Sequence, residues 1–246
     1  MKAKAGISGG TLKWIAIVTM LIDHIGAVLL ETFILNARGG SPFAGHWTAE
    51  QWNEIYHADM IFRHIGRCSF PIFCFLLVEG FLHTRDVKKY AMRLGIFALI
   101  SEIPFDLALD IKLVYWEYQN VYFTLLIGLL TIWYMQRYGN SLAGRLMILL
   151  VGGLLAECLH TDYGIYGVGL IGVLYLTKDN RMYQCALGAL VSLTEILKTV
   201  SLAFIPIYFY NGQRGHQPKW LFYWFYPVHF MVLYFIGRYL LPMIIL

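Results

Sequence analysis

Two long apolar stretches, at residues 12–30 and 220–246, constrain this chain most strongly. An α-helix needs about 20 apolar residues to cross a bilayer, and each stretch is close to that length or longer. Hydrophobic residues make up 59% of the 246 residues and charged residues only 14%, whereas a soluble domain has about 25% charged residues. The runs also lack the alternation of a membrane β-barrel. The sequence therefore predicts an all-α fold, a polytopic integral membrane helical bundle.

Further apolar segments predict eight or nine transmembrane helices in a single domain over residues 1–246. We place them near 12–34, 62–83, 90–110, 120–136, 144–160, 164–177, 183–210 and 220–243. The stretch 183–210 contains Glu195, Lys198 and Pro206. We expect a broken late helix there, which crosses once or twice and packs on protein or lines a cavity.

The segment between the first two spans predicts an external amphipathic helix. Residues 39–42 are rich in turn-forming residues and predict a turn. Thr48 and Gln51 have the spacing of a capping box. Trp52 and Tyr56 follow one helical turn apart, and both residue types favour the membrane interface.

The charge distribution predicts an orientation. The chain carries 19 Lys and Arg residues against 15 Asp and Glu residues, and the basic residues cluster at the N-terminus and in alternate loops. Cytoplasmic loops of membrane proteins carry the excess of Lys and Arg. We therefore expect a multi-pass membrane protein with a cytoplasmic N-terminus and membrane lipid around it. No basic stripe with interleaved aromatic residues occurs, so no nucleic-acid partner is expected.

Ionisable residues inside the predicted spans are functional candidates, because their burial in lipid is costly. A rise of about 1.5 Å per residue puts Asp23 about 16 Å, Glu102 about 18 Å and His229 about 13 Å into the membrane. Three helices thus carry ionisable groups at similar depth. Asp23 and His24 point about 100° apart on a helix. We expect one of them to face a charge such as Arg67 and the other to face a cavity.

Structural interpretations of these residues stay open at this point. Asp23 and Arg67 could serve only to join two helices, and His229 could be a hydrogen-bonded core histidine. Glu79 and His83 share a helix face and could form a polar helix end. No HExxH or paired CxxC spacing occurs, so no metal site is expected.

Short motifs along the chain resemble those of the TraX family. The clearest are MLIDHIG at 20–26 and GRCSFPIF at 66–73, and similar blocks follow at 101–106, 120–124, 162–168, 210–215 and 223–229. That family is known for N-terminal acetylation of conjugative pilin. It is similar, more distantly, to transmembrane acyltransferases that use cytoplasmic acetyl-CoA.

The resemblance implies an integral-membrane acetyltransferase of the bacterial plasma (inner) membrane. Such an enzyme moves an acetyl group from acetyl-CoA to an amine or hydroxyl acceptor, either a peptide amine or a sugar. It implies that His24 and Asp23 are catalytic, with His24 as general base or transient acyl carrier. Histidine suits proton transfer near neutral pH. The predicted substrate and cavity residues are Arg67, Glu79, His83, Glu102, Asn120, Tyr163 and His229. Cations bind the phosphates of CoA, and the predicted CoA-binding residues are Lys89, Arg93, Asn211 and Arg214.

Two other classes of function fit the same features. Broken spans and charges at the membrane midplane are also typical of transporters or flippases, although no internal repeat is evident. A non-catalytic membrane scaffold would hold the same charges only as buried ion pairs.

Overall fold

The structure is a computed structural model that describes residues 6–35, 43, 46–195, 198–216 and 218–245. Helices follow one another along these residues, and the only β pairing among them is two isolated bridges. The predicted turn at 39–42 lies outside the described residues.

Most helix bounds follow the predicted segments, but the segment predicted near 62–83 is divided between the end of the second helix and the third helix. The helices are α1 (Gly9–His24, continued by a π-helix over Ile25–Leu35), α2 (Ala49–Gly66), α3 (Ser69–His83), α4 (Val87–Leu109), α5 (Val121–Tyr138), α6 (Leu142–Cys158), α7 (Gly164–Leu176), α8 (Arg181–Ser192), α9 (Phe204–Tyr208) and α10 (Lys219–Phe235). A π-helical turn over Ile236–Leu240 and a last helical turn over Leu241–Ile245 extend α10.

Three helical stretches in the described residues are long and apolar enough to cross a membrane. They are Gly9–Leu35, Ala49–His83 and Trp220–Ile245. The protein is therefore a helical membrane protein. None of the other described helices combines the length and the apolar character of these three stretches. The predicted total of eight or nine crossings depends on those other helices and stays a prediction.

The broken late helix is confirmed. α8 ends at Ser192, a 3₁₀-helix occupies Lys198–Ala203, and α9 follows with Pro206 inside it. Proline removes a backbone donor and clashes with the preceding turn, which keeps such a segment short.

The amphipathic helix is present as α2, and its capping box is confirmed. The Thr48 hydroxyl accepts from the Gln51 backbone N–H, and the Gln51 side chain accepts from the Thr48 backbone N–H. This helix packs lengthwise against α1 and its π-helical extension. The close approach requires Gly66, because a Cβ there would overlap Asp23. α2 is therefore part of the bundle, and its C-terminal end lies beside Asp23. The prediction of α2 as an external helix did not anticipate this position.

α3 lies at the centre of the bundle. Its residues Ile72, Cys74, Phe75 and Val78 are fully buried, as expected for a helix that is apolar on all sides. α1, α5 and α7 pack around it, and α10 packs against α4. Two partly open cavities between these helices carry the polar residues.

Candidate active site

Among the described residues, two partly open cavities between the helices carry most of the candidate side chains. The histidine cavity has a volume of about 450 Å³, and its polar lining includes Asp23, His24, Glu31, Arg63, Arg67, Asp162 and Tyr163. The basic cavity has a volume of about 420 Å³, and its polar lining includes Lys13, Glu79, His83, Arg93 and Arg214. Among the residues that line them, Phe73 is shared by both cavities.

The cavities are stacked along the helix axes. On α1, Lys13 lines the basic cavity and His24, eleven residues further on, lines the histidine cavity. On α10, Phe222 lines the basic cavity and Tyr226 lines the histidine cavity. The helices α1 and α10 therefore run in the same direction from one cavity to the other.

His24 stands between the histidine cavity and a second histidine. Its Nδ1 lies 2.5 Å from Nε2 of His229, whose side chain is buried in α10. The two ring planes differ by only 10° and the ring centroids are 4.8 Å apart, so the rings meet edge to edge. Phe230 packs against His24 with the centroids 4.4 Å apart. Sequence reasoning placed both histidines at similar depth, and the structure brings them into contact.

The hydrogen bonds around His229 fix the proton positions on the neutral pair. His229 Nδ1 lies 2.8 Å from the Phe225 carbonyl oxygen, which can only accept, so Nδ1 carries the proton. His229 Nε2 is then an acceptor, and His24 Nδ1 must donate to it. This leaves His24 Nε2 unprotonated, with its lone pair available to the cavity. The pair thus holds His24 in the tautomer that a general base requires.

Asp23 pairs with a different arginine from the one predicted. Its Oδ2 lies 2.7 Å from Nη1 of Arg63 on α2, and His24 Nε2 lies 3.9 Å from the same oxygen. Arg63 also lies 3.9 Å from Glu31. Asp23 therefore faces a charge and His24 faces the cavity, as expected. The charge belongs to Arg63 and not to Arg67, because α2 packs beside α1 and brings Arg63 to the carboxylate.

Arg67 instead contacts Tyr163 on the far wall of the histidine cavity. Its guanidinium donates to the Tyr163 hydroxyl over 3.3 Å, and its buried Nε has no hydrogen-bond partner among the described residues. The Tyr163 ring stacks on Phe70 with centroids 3.7 Å apart. Arg67 also lines the histidine cavity, so its guanidinium group is placed to donate to a molecule there.

Asp162 completes this wall from the loop between α6 and α7. The Tyr118 hydroxyl donates to Asp162 Oδ1 over 2.6 Å. Burial raises the pKa of Asp162 to about 6, although Tyr118 and the charge of Arg67 oppose the shift. The charge of Asp162, together with burial, raises the pKa of Tyr118 above its usual range. Tyr118 therefore stays a donor, and the proton content of this wall changes near pH 6.

Glu102 and Asn120 lie together but outside the linings of both cavities. The Asn120 side chain accepts from the Tyr122 backbone N–H and donates to the Ala98 carbonyl oxygen over 2.8 Å. It also donates to Glu102. The pair caps α5 against α4, so the structure gives these two predicted cavity residues a packing role.

The basic cavity collects Glu79, His83, Arg93 and Arg214 as lining residues. Glu79 lies 3.6 Å from Nη2 of Arg181 on α8. The His83 Nδ1 donates to the Glu79 backbone carbonyl over 2.8 Å. Formal charges in this lining are positive on balance, which suits a ligand that carries phosphates.

Backbone hydrogen bonds join residues 7–10 to the loop before α10 and position Arg214. We call this set of hydrogen bonds the staple. Ile7 N–H donates to the Phe209 carbonyl over 2.8 Å, and Gly10 N–H donates to the Arg214 carbonyl over 2.9 Å. A Cβ at Gly10 would overlap the backbone of His216. The staple therefore fixes the loop against α1, beside the mouth of the basic cavity.

Two predicted CoA ligands do not line this cavity. Asn211 belongs to the staple, where its side chain donates to the Gly6 carbonyl over 3.3 Å and accepts from the Gln213 backbone N–H. The Lys89 side chain is 71% exposed and pairs with Asp86 over 3.5 Å. Lys89 shares a helix face with Arg93, but it lies one turn nearer the exposed start of α4 and so stays outside the lining that contains Arg93.

Sequence reasoning missed Arg63, Asp162 and Tyr118. A signal for Arg63 did exist, because Arg63 and Arg67 are four residues apart and such residues share a helix face. Asp162 and Tyr118 lie in loops that look solvated in sequence. Asp162 does begin the block at 162–168 that resembles the TraX family, but nothing in the local pattern indicates that either loop folds over a cavity.

Fold and site together define a helical membrane protein with two stacked polar cavities, one with a histidine pair and one with clustered cations. The family model described as TraX protein matches residues 8–237. The chain therefore belongs to the TraX family. It is also 30% identical to a probable fimbrial assembly protein FimC, serogroup H1, from Dichelobacter nodosus, over 95% of this chain and 97% of that protein. No solved structure matches the chain.

Proposed function

We propose that this protein is an integral-membrane acetyltransferase. Acetyl-CoA binds in the basic cavity, and an amine or hydroxyl acceptor binds in the histidine cavity. The observation that carries the proposal is the position of His24, whose Nδ1 is held by His229 at 2.5 Å while Nε2 is left for the cavity. The cations of the other cavity lie beyond Phe73, so donor and acceptor approach the same histidine from opposite ends.

The donor site follows from charge and shape. Lys13, Arg93 and Arg214 supply cations for the phosphates of CoA. The pantetheine arm is narrow and uncharged, so it suits the aromatic and aliphatic lining that leads toward Phe73. The thioester is then delivered at the level of His24.

The reaction needs one proton acceptor and one donor to the carbonyl oxygen. His24 Nε2 takes the proton from the acceptor nitrogen or oxygen as that atom attacks the thioester carbon. The carbon–sulfur bond breaks, and the imidazolium returns the proton to the CoA sulfur. Arg67 donates to the carbonyl oxygen while it carries negative charge. Asp23 and His229 act as positioning residues, since neither needs to touch the reacting atoms.

His24 can alternatively carry the acetyl group itself. Attack of Nε2 on the thioester would give an acetyl-imidazole and release CoA before the acceptor binds. Rapid acid quenching followed by mass spectrometry of the His24 peptide distinguishes this two-step route from direct transfer.

The proposed setting is the bacterial inner membrane, with eight or nine crossings and a cytoplasmic N-terminus. The Lys and Arg bias supports this orientation, and it places the basic cavity on the side where acetyl-CoA occurs. The histidine cavity then faces the outer side. The similarity to a protein named for fimbrial assembly supports an acceptor on a surface filament subunit or on a sugar attached to one.

A transporter is the second candidate, because two cavities separated by one lining residue also fit alternating access. A transporter would move its substrate through the bundle without acetyl-CoA. Flux into proteoliposomes in the absence of acetyl-CoA is therefore the observation that would favour it.

The test is reconstitution of purified protein with acetyl-CoA and three probes, namely a short peptide with a free amine, glucosamine and glucose. Mass spectrometry should find one of them acetylated. His24→Ala should abolish the product, and His57→Ala, which alters an exposed histidine on α2, should not. If wild type neither binds acetyl-CoA nor acetylates any probe while remaining folded, the proposal is wrong.

A further inference from the structure

Phe73 occupies the place where the two cavities meet. It lies on α3 between Phe70, which lines the histidine cavity, and Leu77, which lines the basic cavity. The spacings of three and four residues put these three side chains on neighbouring parts of one helix face. Phe73 itself belongs to both linings.

The two tyrosines beside this junction are held in place. Tyr122 lines the basic cavity and Tyr226 lines the histidine cavity, and their rings meet edge to face with centroids 5.0 Å apart. The Tyr122 hydroxyl donates to the Tyr223 carbonyl over 3.3 Å. Tyr226 also packs against Phe230, with centroids 5.1 Å apart.

Phe73 differs from its neighbours on α3. Phe70 stacks on Tyr163, and Phe75 meets the edge of Tyr210. Within the described part of the chain, no aromatic ring stacks on Phe73, and its side chain is only partly buried. A helical phenylalanine has two accessible χ1 rotamers, near 180° and −60°. Cavity space on both sides gives this ring somewhere to move.

We propose that the Phe73 ring is the gate between the two cavities and that it limits the size of the acyl group that reaches His24. This inference rests on the proposed acetyl transfer. The thioester enters the basic cavity and must pass the ring to meet His24. An acetyl group passes with a rotamer change, whereas a longer acyl chain must occupy the space that the ring needs.

The expected effect is a change in acyl-chain selectivity. Phe73→Ala removes the ring and joins cavities of about 450 Å³ and about 420 Å³. Exclusion of one methylene by a pocket is worth about 10-fold or more in rate. The ratio of acetyl to butyryl transfer should therefore fall at least 10-fold in Phe73→Ala, and Phe73→Leu should lie between that variant and wild type.

The experiment measures transfer from acetyl-CoA and from butyryl-CoA, using whichever of the three probes gives the highest wild-type rate. Phe235→Ala is the matched control, because it removes a ring of the same kind from a half-exposed position on α10 outside both cavities. Its acyl ratio should equal that of wild type. Acetyl-CoA binding by calorimetry shows that each variant is folded, and Phe73→Leu keeps the test valid if Phe73→Ala does not fold.

An unchanged acyl ratio in folded Phe73→Leu and Phe73→Ala overturns the gate and leaves the proposed acetyltransferase intact. A wild type that transfers neither acyl group to any probe overturns the proposed function instead. The two failures are therefore distinguishable.

Discussion

The two cavities have nearly the same volume and meet at one side chain, but they differ in charge. Five carboxylates and two arginines line the histidine cavity; the carboxylates are Asp23, Glu31, Asp110, Glu117 and Asp162. Lys13, Arg93 and Arg214 outnumber Glu79 in the basic cavity. A single bundle thus presents opposite electrostatic environments at the two ends of one path.

In the proposed reaction, this difference lets one histidine serve two molecules. The acidic lining disfavours the phosphates of CoA, so we propose that the donor stays at the basic end while its uncharged arm extends toward Phe73. Substitutions in the basic cavity should therefore change donor affinity. Substitutions around His24 should change the rate and leave donor affinity alone.

The largest expected effect is at His24. His24→Ala removes the proposed proton acceptor and should lower kcat about 1,000-fold, within the range for general-base catalysis. The acetyl-CoA Kd should change by less than about twofold, because the residue lies in the other cavity. Rate assays with calorimetry on the same preparations check both values. Retention of wild-type kcat would remove His24 from the mechanism.

A smaller loss is expected at His229. His229→Ala removes the acceptor for His24 Nδ1–H and should lower kcat about 100-fold with little change in KM, because the wrong tautomer becomes accessible. His229→Gln offers an amide oxygen as a substitute acceptor and should recover about 10-fold of that loss. Equal activities for the Ala and Gln variants would mean that the contact serves packing alone.

In the basic cavity, Arg93→Ala and Arg214→Ala should each weaken acetyl-CoA binding about 10-fold, the size expected for a hydrogen bond to a charged group. Lys89→Ala should leave the Kd within about twofold of wild type, because Lys89 is exposed and pairs with Asp86. Calorimetry on the three variants distinguishes the contribution of the cavity-lining arginines to acetyl-CoA binding from that of the exposed lysine. Equal effects in all three would show that the attraction is nonspecific.

The smallest effect concerns pH and Asp162. Its pKa is raised to about 6 from an ordinary value of 3.8, so its contribution to stability is present below pH 4 and is lost as the pH rises through 6. Asp162→Asn should therefore melt a few degrees above wild type at pH 7.5, and this advantage should disappear near pH 4. Thermal midpoints in detergent for both proteins at both pH values check this. An advantage that is independent of pH would show that the carboxylate does not titrate in this range.

Much of the fold could be predicted because membrane helices are specified by local composition. The segment near 90–110 became Val87–Leu109, and the segment near 164–177 became Gly164–Leu176. The break within 183–210 was also predictable, since Glu195, Lys198 and Pro206 interrupt that apolar stretch.

The candidate site was only partly predictable. The rise per residue of a helix gives the depth of a side chain in the membrane but not the neighbouring helix that the side chain faces. Depth alone grouped Asp23, Glu102 and His229. The structure turns Glu102 toward Asn120 and places His229 against His24. The pairing of Asp23 with Arg63 depends on the close packing at Gly66, which is a contact between two helices and has no signal in either one.

The most direct test of the central claim asks whether the acetyl donor and the acceptor react from opposite sides of the membrane. Inside-out membrane vesicles would hold the acceptor probe in the lumen and receive radiolabelled acetyl-CoA outside. The account predicts label on the luminal probe with wild type, CoA left outside the vesicles, and no label with His24→Ala. Label only when donor and probe share one side, or intact acetyl-CoA in the lumen, would contradict transfer through two opposed cavities.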